Sequence, residues 1–365
     1  MKIKLFLDSG AYAAWSRKVD LPLKEYIRYL KRNGDAMFAY VNMDTIPGVF
    51  GKLRQPGDFD KSATQSYETL QRMLDAGLRP IPVIHQGEQL SWLERHIEEG
   101  HDYIGVSATK DPFADHQTWL DQAFSLICDK KGRPRVKVHG FGITTPKLLM
   151  TYPFYSVDST SWLLSPAYGH LIMPRVNLKG EFDFSKLPVR YVTSGVDHDT
   201  PSHNKMDFRT VGPLQDEVLT RYIQDNLKCS PEELQHSTDA RRRSVIVYMQ
   251  QLVKHSYPVR FNHHIPNLVR DKGNGKDAKL NVMYVLSWQP AMSRILASCN
   301  ANTQLISYAE IKDRKEEDVQ HYIETGELRT RLVKKRRGSW NDNYYLSIRA
   351  LGLHRRFDAN NDQSV

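Results

Sequence analysis

Apolar and polar positions in the first half of the chain follow two alternating periods. Short apolar runs, KIKLFL, AMFAYVNM, PIPVIH, DYIGVSA, RVKVHGFG and FYSVDS, read as six strands, and HLIMPR reads as a seventh. Between them, PLKEYIRYLKRNG, TQSYETLQRMLDAG, SWLERHIEEG, HQTWLDQAFSLICD and TPKLLMTY repeat their apolar residues at three- and four-residue spacing, as amphipathic helices do. Gly34, Gly77 and Gly100 close three of these helices.

Strand–helix repeats of this length place successive strands parallel, joined by right-handed crossovers. A closed barrel and a doubly wound open sheet both satisfy that rule. The open sheet carries a glycine-rich phosphate turn after its first strand. Here that turn is DSGAY, which holds a carboxylate instead. The prediction is an α/β chain: a (β/α)₈ TIM-type barrel over 1–215, then a mainly helical, basic C-terminal region over 216–365. The later region is read either as an appendage or as completing the barrel. VRYVTSG and LNVMYVLSW compete for the eighth strand, LQDEVLTRYIQDNL and ARRRSVIVYMQQLVKH read as helices, and RDKGNGKDAK reads as a loop.

Composition narrows the class. With 40% hydrophobic and 25% charged residues the chain is globular rather than disordered. No stretch reaches the roughly 20 apolar residues of a membrane span. The first apolar run breaks at Asp8, too early for a signal core, so a cytoplasmic protein without a membrane partner is expected. Cys128, Cys229 and Cys299 lie far apart, which argues against a disulfide framework and a cysteine-based zinc site. His255, His263 and His264 form a histidine-rich patch without thiolates, and no metal is expected.

Charge then points to a partner. The formal net charge is +9, with a pI near 9.2, which favours a polyanion. Cations gather at Arg241, Arg242 and Arg243, and again at Lys334, Lys335, Arg336 and Arg337. Trp340, Tyr344 and Tyr345 follow, then Arg355 and Arg356. Interleaved cations and rings suit phosphate contact with base stacking; the alternative is a solvated helix face. Arg175, at the end of HLIMPR, joins the candidate phosphate contacts.

The candidate chemistry lies just past the strands. Asp8, Asp44, Gln86, Ser107, His139 and Asp158 fall at the ends of strands one to six, which in a parallel barrel all face one mouth. Each alone has a plain structural reading: a helix cap for Asp8 or Asp44, a loop contact for Gln86, a core histidine for His139. Together they form a constellation. Two carboxylates at one mouth can perform glycosyl transfer, one attacking the anomeric carbon and the other moving a proton. An amide and a further carboxylate can read the edge of a planar base, with Tyr12 as a stacking face.

These segments resemble the tRNA-guanine transglycosylases, and within that superfamily the phage-encoded relatives that put 7-deazaguanines into DNA. LDSGAY is similar to the family's D-S-G-G-[YF] motif, which makes Asp8 the general acid/base and Tyr12 the stacking ring. VNMD and VIHQG match the segments that end in the base-reading Asp44 and Gln86. HGFGITTPKLL resembles the G-x-G-[ST]-P-x-x-L segment before the nucleophile strand, with His139 at a pocket-wall position, and YSVDSTSW supplies Asp158 as nucleophile. IGVSA fits the family's G-G-L-A-V-G loosely, giving Gly105 and Ser107 to the base pocket. The family's C-x-C-x-x-C zinc motif is missing. The resemblance implies exchange of guanine for a 7-deazaguanine such as preQ₀, through a covalent aspartyl-glycosyl intermediate and without a cofactor. DNA is the expected polymer, with tRNA as the alternative, a free 7-deazaguanine as the second substrate, and a homodimer left open. A hydrolytic N-glycosidase and a catalytically inactive nucleic-acid-binding barrel are the rival readings.

Overall fold

The computed structural model describes residues 2–108, 115–184, 186–192, 205–207, 217, 220–255, 261, 283–288, 295, 296, 299 and 301–327. Thirteen strands run along these residues. They are β1 (Lys4–Asp8), β2 (Ala39–Tyr40), β3 (Val83–His85), β4 (Tyr103–Ser107), β5 (Lys137–Phe141), β6 (Ser156–Ser159), β7 (His170–Met173), β8 (Arg175–Val176), β9 (Phe182–Asp183), β10 (Val189–Val192), β11 (Lys205–Asp207), β12 (Met283–Ser287) and β13 (Thr303–Ser307). Between the first strands lie α1 (Ala11–Arg17), α2 (Leu23–Asn33), α3 (Pro56–Asp75), α4 (Ser91–Glu98), α5 (His116–Ile127), α6 (Pro146–Thr151) and α7 (Ser161–Ala167).

Eight strands form one sheet in the order β2-β1-β13-β12-β6-β5-β4-β3, and every pairing within it is parallel. The sheet curls. The Phe6 ring on β1 stacks on His139 of β5 at 4.5 Å between centroids. These strands stand four places apart, which in a flat sheet would separate them by about 19 Å. The two edges meet at one parallel bridge, Val41 to Ile81, where Ile81 N–H donates to Tyr40 O and Asn42 N–H to Ile81 O, each at 2.9 Å.

Side chains alternate across this sheet with the period of two that strands impose. Phe6, Val83 and Val285 pack inside the curl with Tyr103, Phe141 and Leu305. Leu5 and Leu7 face outward onto α2 and the helix Glu316–Thr325, and Ile104, Val106, Val138 and Val157 face outward onto α5 and α6. Both faces are therefore buried, which explains why the strands read as continuous apolar runs.

HLIMPR forms a strand, β7, but it is not the seventh strand of the main sheet. β7 pairs antiparallel with β10, the VRYVTSG candidate, in a separate three-stranded sheet with β11. The main sheet takes its last two strands from beyond residue 216, so the later region completes it. LNVMYVLSW supplies β12, and β13 comes from TQLIS, a segment the sequence reading passed over. A Leu171, Met173 and Tyr191 cluster on the side sheet packs against Tyr222, Ile223 and Ala240.

Smaller differences have local causes. AMFAYVNM gives only two residues of ladder, because Val41 bridges Ile81 and the chain then turns into the site. α3 starts eight residues before TQSYETLQRMLDAG, with Pro56 in its first turn and a capping box between Gln55 and Asp58. Gly34 follows α2 in right-handed geometry, φ −60°, and runs into a 3₁₀ turn instead of stopping the helix in the left-handed region. LQDEVLTRYIQDNL ends in a π-helical turn, Ile223–Leu227, and ARRRSVIVYMQQLVKH lies within the helix Thr238–His255.

The first cationic cluster is structural. Arg241 and Arg242 are buried: Arg241 donates to Pro166 O at 2.8 Å and Leu234 O at 2.9 Å, and Arg242 pairs with Asp239. Arg243 donates to Leu227 O. Arg175 lies on the β8–β9 hairpin, where its Nε donates to Leu187 O, away from the candidate site. Lys334, Lys335, Arg336, Arg337, Trp340, Tyr344, Tyr345, Arg355, Arg356, His263 and His264 lie outside the described residues. Cys128, Cys229 and Cys299 are buried thiols, none in a disulfide. Among the described residues no helix is long and apolar enough to cross a membrane.

Candidate active site

The carboxyl ends of the parallel strands surround a cavity of about 550 Å³. Parallel strands deliver their following loops to the same end, so residues distant in sequence converge there. Asp8, Tyr12, Asp44, Gln86, Ser107 and Asp158 all line it. Gly105 and His139 do not. The Phe141 ring lies against Gly105, where a Cβ would sit 2.5 Å from Phe141 Cε2, and His139 is fully buried beneath Asp158.

Asp8 ends β1. The chain must turn at once to start α1, and it does so through Gly10 at φ 84°. A Cβ at Gly10 would meet Leu21 at 2.8 Å, so both backbone angle and space demand glycine. Asp8 accepts one long hydrogen bond, from Gly10 N–H at 3.4 Å. Burial pushes its carboxyl up to about 7, the nearby charges of Asp44 and Asp158 add to the rise, and Gly10 N–H offsets it slightly.

Asp158 sits on β6 in a different setting. Gly142 N–H donates to its Oδ1 at 3.2 Å, and His139 Nε2 stands 3.3 Å from the same oxygen. Behind His139, Nδ1 is 2.6 Å from Ser156 Oγ, which in turn bonds Tyr103 OH. A carboxylate only accepts, so His139 Nε2–H donates to Asp158, and Ser156 and Tyr103 hold the other face of the ring. Phe6 and Phe141 clamp its ring, at 4.5 and 4.4 Å.

Asp44 is held at both oxygens. Ser9 Oγ–H donates to Oδ1 at 2.8 Å, and His85 Nε2 lies 2.9 Å from Oδ2. Glu88 stands behind His85, accepting from its backbone N–H at 2.9 Å and from Ser62 Oγ–H at 2.8 Å. Burial pulls the His85 imidazole down, but the hydrogen bond and charge of Asp44, with Glu88 behind, outweigh it, so the net shift is upward. Gln86 contacts His116 Nδ1 through Oε1 at 2.7 Å and donates from Nε2 to Asp115 O at 3.2 Å. These bonds fix the amide plane at the cavity wall.

The rim is aromatic. Tyr12 is 42% exposed. Trp15, one helical turn on, lies 6.0 Å from it and packs edge-to-face on Phe50 at 5.0 Å. The Arg54 guanidinium stands 5.6 Å from the Trp15 ring. Trp15, Phe50, Arg54, His85, His116 and Phe141 are wall residues that the strand-end reading missed. The i, i+3 spacing of Tyr12 and Trp15 was the one signal that could have found Trp15. Phe50, Arg54 and His116 come from loops and a helix start with no periodic pattern, whereas His85 and Phe141 end β3 and β5.

Compared with known proteins, the sequence matches no family model and no curated protein. The site therefore rests on its own geometry: a buried and a half-buried carboxylate with unlike partners, a third carboxylate and an amide beside them, and aromatic rings at the opening.

Proposed function

We propose that this chain is a (β/α)₈-barrel transglycosylase that replaces guanine in DNA with a 7-deazaguanine of the preQ₀ type, through a covalent aspartyl-glycosyl intermediate. The observation that carries the reading is one cavity holding Asp8, raised to about 7, and Asp158, held by two N–H donors. Titratable pairs in unlike environments divide into proton carrier and nucleophile. The barrel reading is supported by the strand order, which is the cyclic order of such a barrel, and by the bridge between its edges.

In the first step an Asp158 oxygen attacks C1′ of the target nucleotide. The C1′–N9 bond breaks, and guanine leaves with the electron pair and a proton from Asp8. The sugar remains as an ester of Asp158. In the second step the incoming base gives its N9 proton to Asp8, N9 attacks C1′, and Asp158 is released. An acid whose pKa lies near neutrality suits both directions of this transfer. Asp44, Gln86 and Ser107 would read the guanine-like edge and Tyr12 would stack on it; Phe141 covers Gly105, which takes that glycine out of the reading set. A nucleobase fits a cavity of about 550 Å³, and the target must leave its stack to enter.

The test is incubation with preQ₀ and, separately, DNA and tRNA, followed by mass spectrometry of the nucleosides. Incorporation into DNA is expected. Release of guanine without incorporation would replace exchange by hydrolysis, and incorporation confined to tRNA would overturn the choice of polymer.

A further inference from the structure

At the end of the sheet opposite the cavity lies a second group of ligand-type side chains. α4 ends at Glu98, and Gly100, at φ 83°, turns the chain back towards β4. This turn gathers His96, Glu99 and His101, with one donor atom of each within 4.8 Å of the other two. The two imidazole rings meet edge-on at 5.5 Å. Glu99 Oε1 accepts from Tyr67 OH of α3 at 2.6 Å, while Oε2 stands 4.0 Å from His101 Nε2, beyond hydrogen-bond range.

His96 has no evident structural reason for its polarity. It is 4% exposed, and its Nδ1 is buried without a hydrogen-bond partner. The void it lines with Ser66, Glu88 and Trp92 admits no water. A buried nitrogen without a partner is costly, and a bound ion would use its lone pair.

We propose that His96, Glu99 and His101 bind one zinc-class divalent ion, with water in the fourth position. Two imidazoles and one carboxylate are borderline donors, which suit zinc better than the all-oxygen preference of calcium or magnesium. Around a tetrahedral ion with ligands at about 2.0–2.1 Å, donor atoms lie about 3.4 Å apart, so closure from within 4.8 Å needs a shift of at most about 1.4 Å. Glu99 and His101, both partly exposed on a turn, can supply it. Through Glu99 and Tyr67 the ion would tie the end of α4 to α3, far from the cavity mouth, where a stabilising role is expected. Cysteine spacing gave no hint of this site, because it uses none. The proposal is independent of the base-exchange reading.

The experiment is titration of the chelator-stripped full chain with zinc chloride by calorimetry, alongside cobalt(II) absorption. One saturable site is expected, with a rise in thermal midpoint on zinc addition. His101→Ala and Glu99→Gln should each weaken that site by at least about tenfold, since loss of even a supporting group around a metal has such an effect. Both positions are partly exposed, so the variants keep the core, which circular dichroism verifies. The protein has 14 histidines, and binding elsewhere is recognised by its indifference to these substitutions. No saturable zinc binding by the wild type, or unchanged affinity in both variants, overturns the proposal.

Discussion

The two walls of the cavity each hold a carboxylate, and they hold it by opposite means. On the β1 side Asp8 is half-buried beside other carboxylates and receives a single long backbone bond. On the β6 side Asp158 receives a backbone N–H and an imidazole held from behind by Ser156 and Tyr103. Isolation keeps a proton on a carboxyl group, and donors keep an anion in one orientation. One fold thus gives one residue type two different settings, because neighbouring strands bring different second partners to the same mouth.

The comparison is broken most severely at the oriented wall. Asp158→Asn should lower exchange by about 10⁴-fold or more, as removal of a nucleophile does, with the fold retained. A denaturation-resistant adduct with nucleic acid that persists in this variant would place the nucleophile elsewhere.

At the isolated wall, Asp8→Asn should slow exchange by about 10²–10⁴-fold, the range for general acid–base loss. The raised Asp8 carboxyl also has a signature in stability. Its folded value, about 7, lies above the unfolded 3.8, so the folded state binds the proton more tightly. Its stabilising contribution is full below about pH 4 and is lost as pH rises to about 7. Thermal melts across that range should show a decline in the wild type that Asp8→Asn flattens. Parallel pH profiles for the two proteins would refute the shift.

His139→Phe sharpens the comparison, since a phenyl ring can occupy the slot between Phe6 and Phe141 but donates nothing to Asp158. We expect kcat to fall by about 10²-fold, the scale of a misoriented reacting group, with little change in KM. A rise in KM at constant kcat would make His139 a binding residue.

Asp44→Ala should weaken free 7-deazaguanine by about 10–100-fold, the worth of charged hydrogen bonds, and leave polymer affinity nearly unchanged. Equal loss of both would mean that the pocket had collapsed. The smallest effect is expected at Lys334, Lys335, Arg336 and Arg337. Their replacement by Ala should reduce the salt dependence of DNA binding by about 0.7–0.9 in log–log slope per lost contact and leave base selection untouched.

The sequence by itself determined the repeating strand–helix order, because burial on both faces writes apolar runs and amphipathic periods directly into the chain. It also determined which residues meet at one cavity: Asp8, Asp44, Gln86, Ser107 and Asp158 were legible as its lining because parallel topology sends every strand end to one mouth. Tertiary structure alone decided the rest. HLIMPR and TQLIS are equally good strands locally, and only non-local pairing sends the first to a side sheet and the second to β1. His139, read as a strand end like Ser107, lies mid-strand on β5 level with Gly105, where the Phe6 and Phe141 rings bury it under Asp158. Arg241 and Arg242 read as a phosphate-binding cluster until carbonyls and Asp239 claim them. In each case local propensity fixes the element, whereas partner and depth depend on contacts between residues far apart in the chain, which no local pattern encodes.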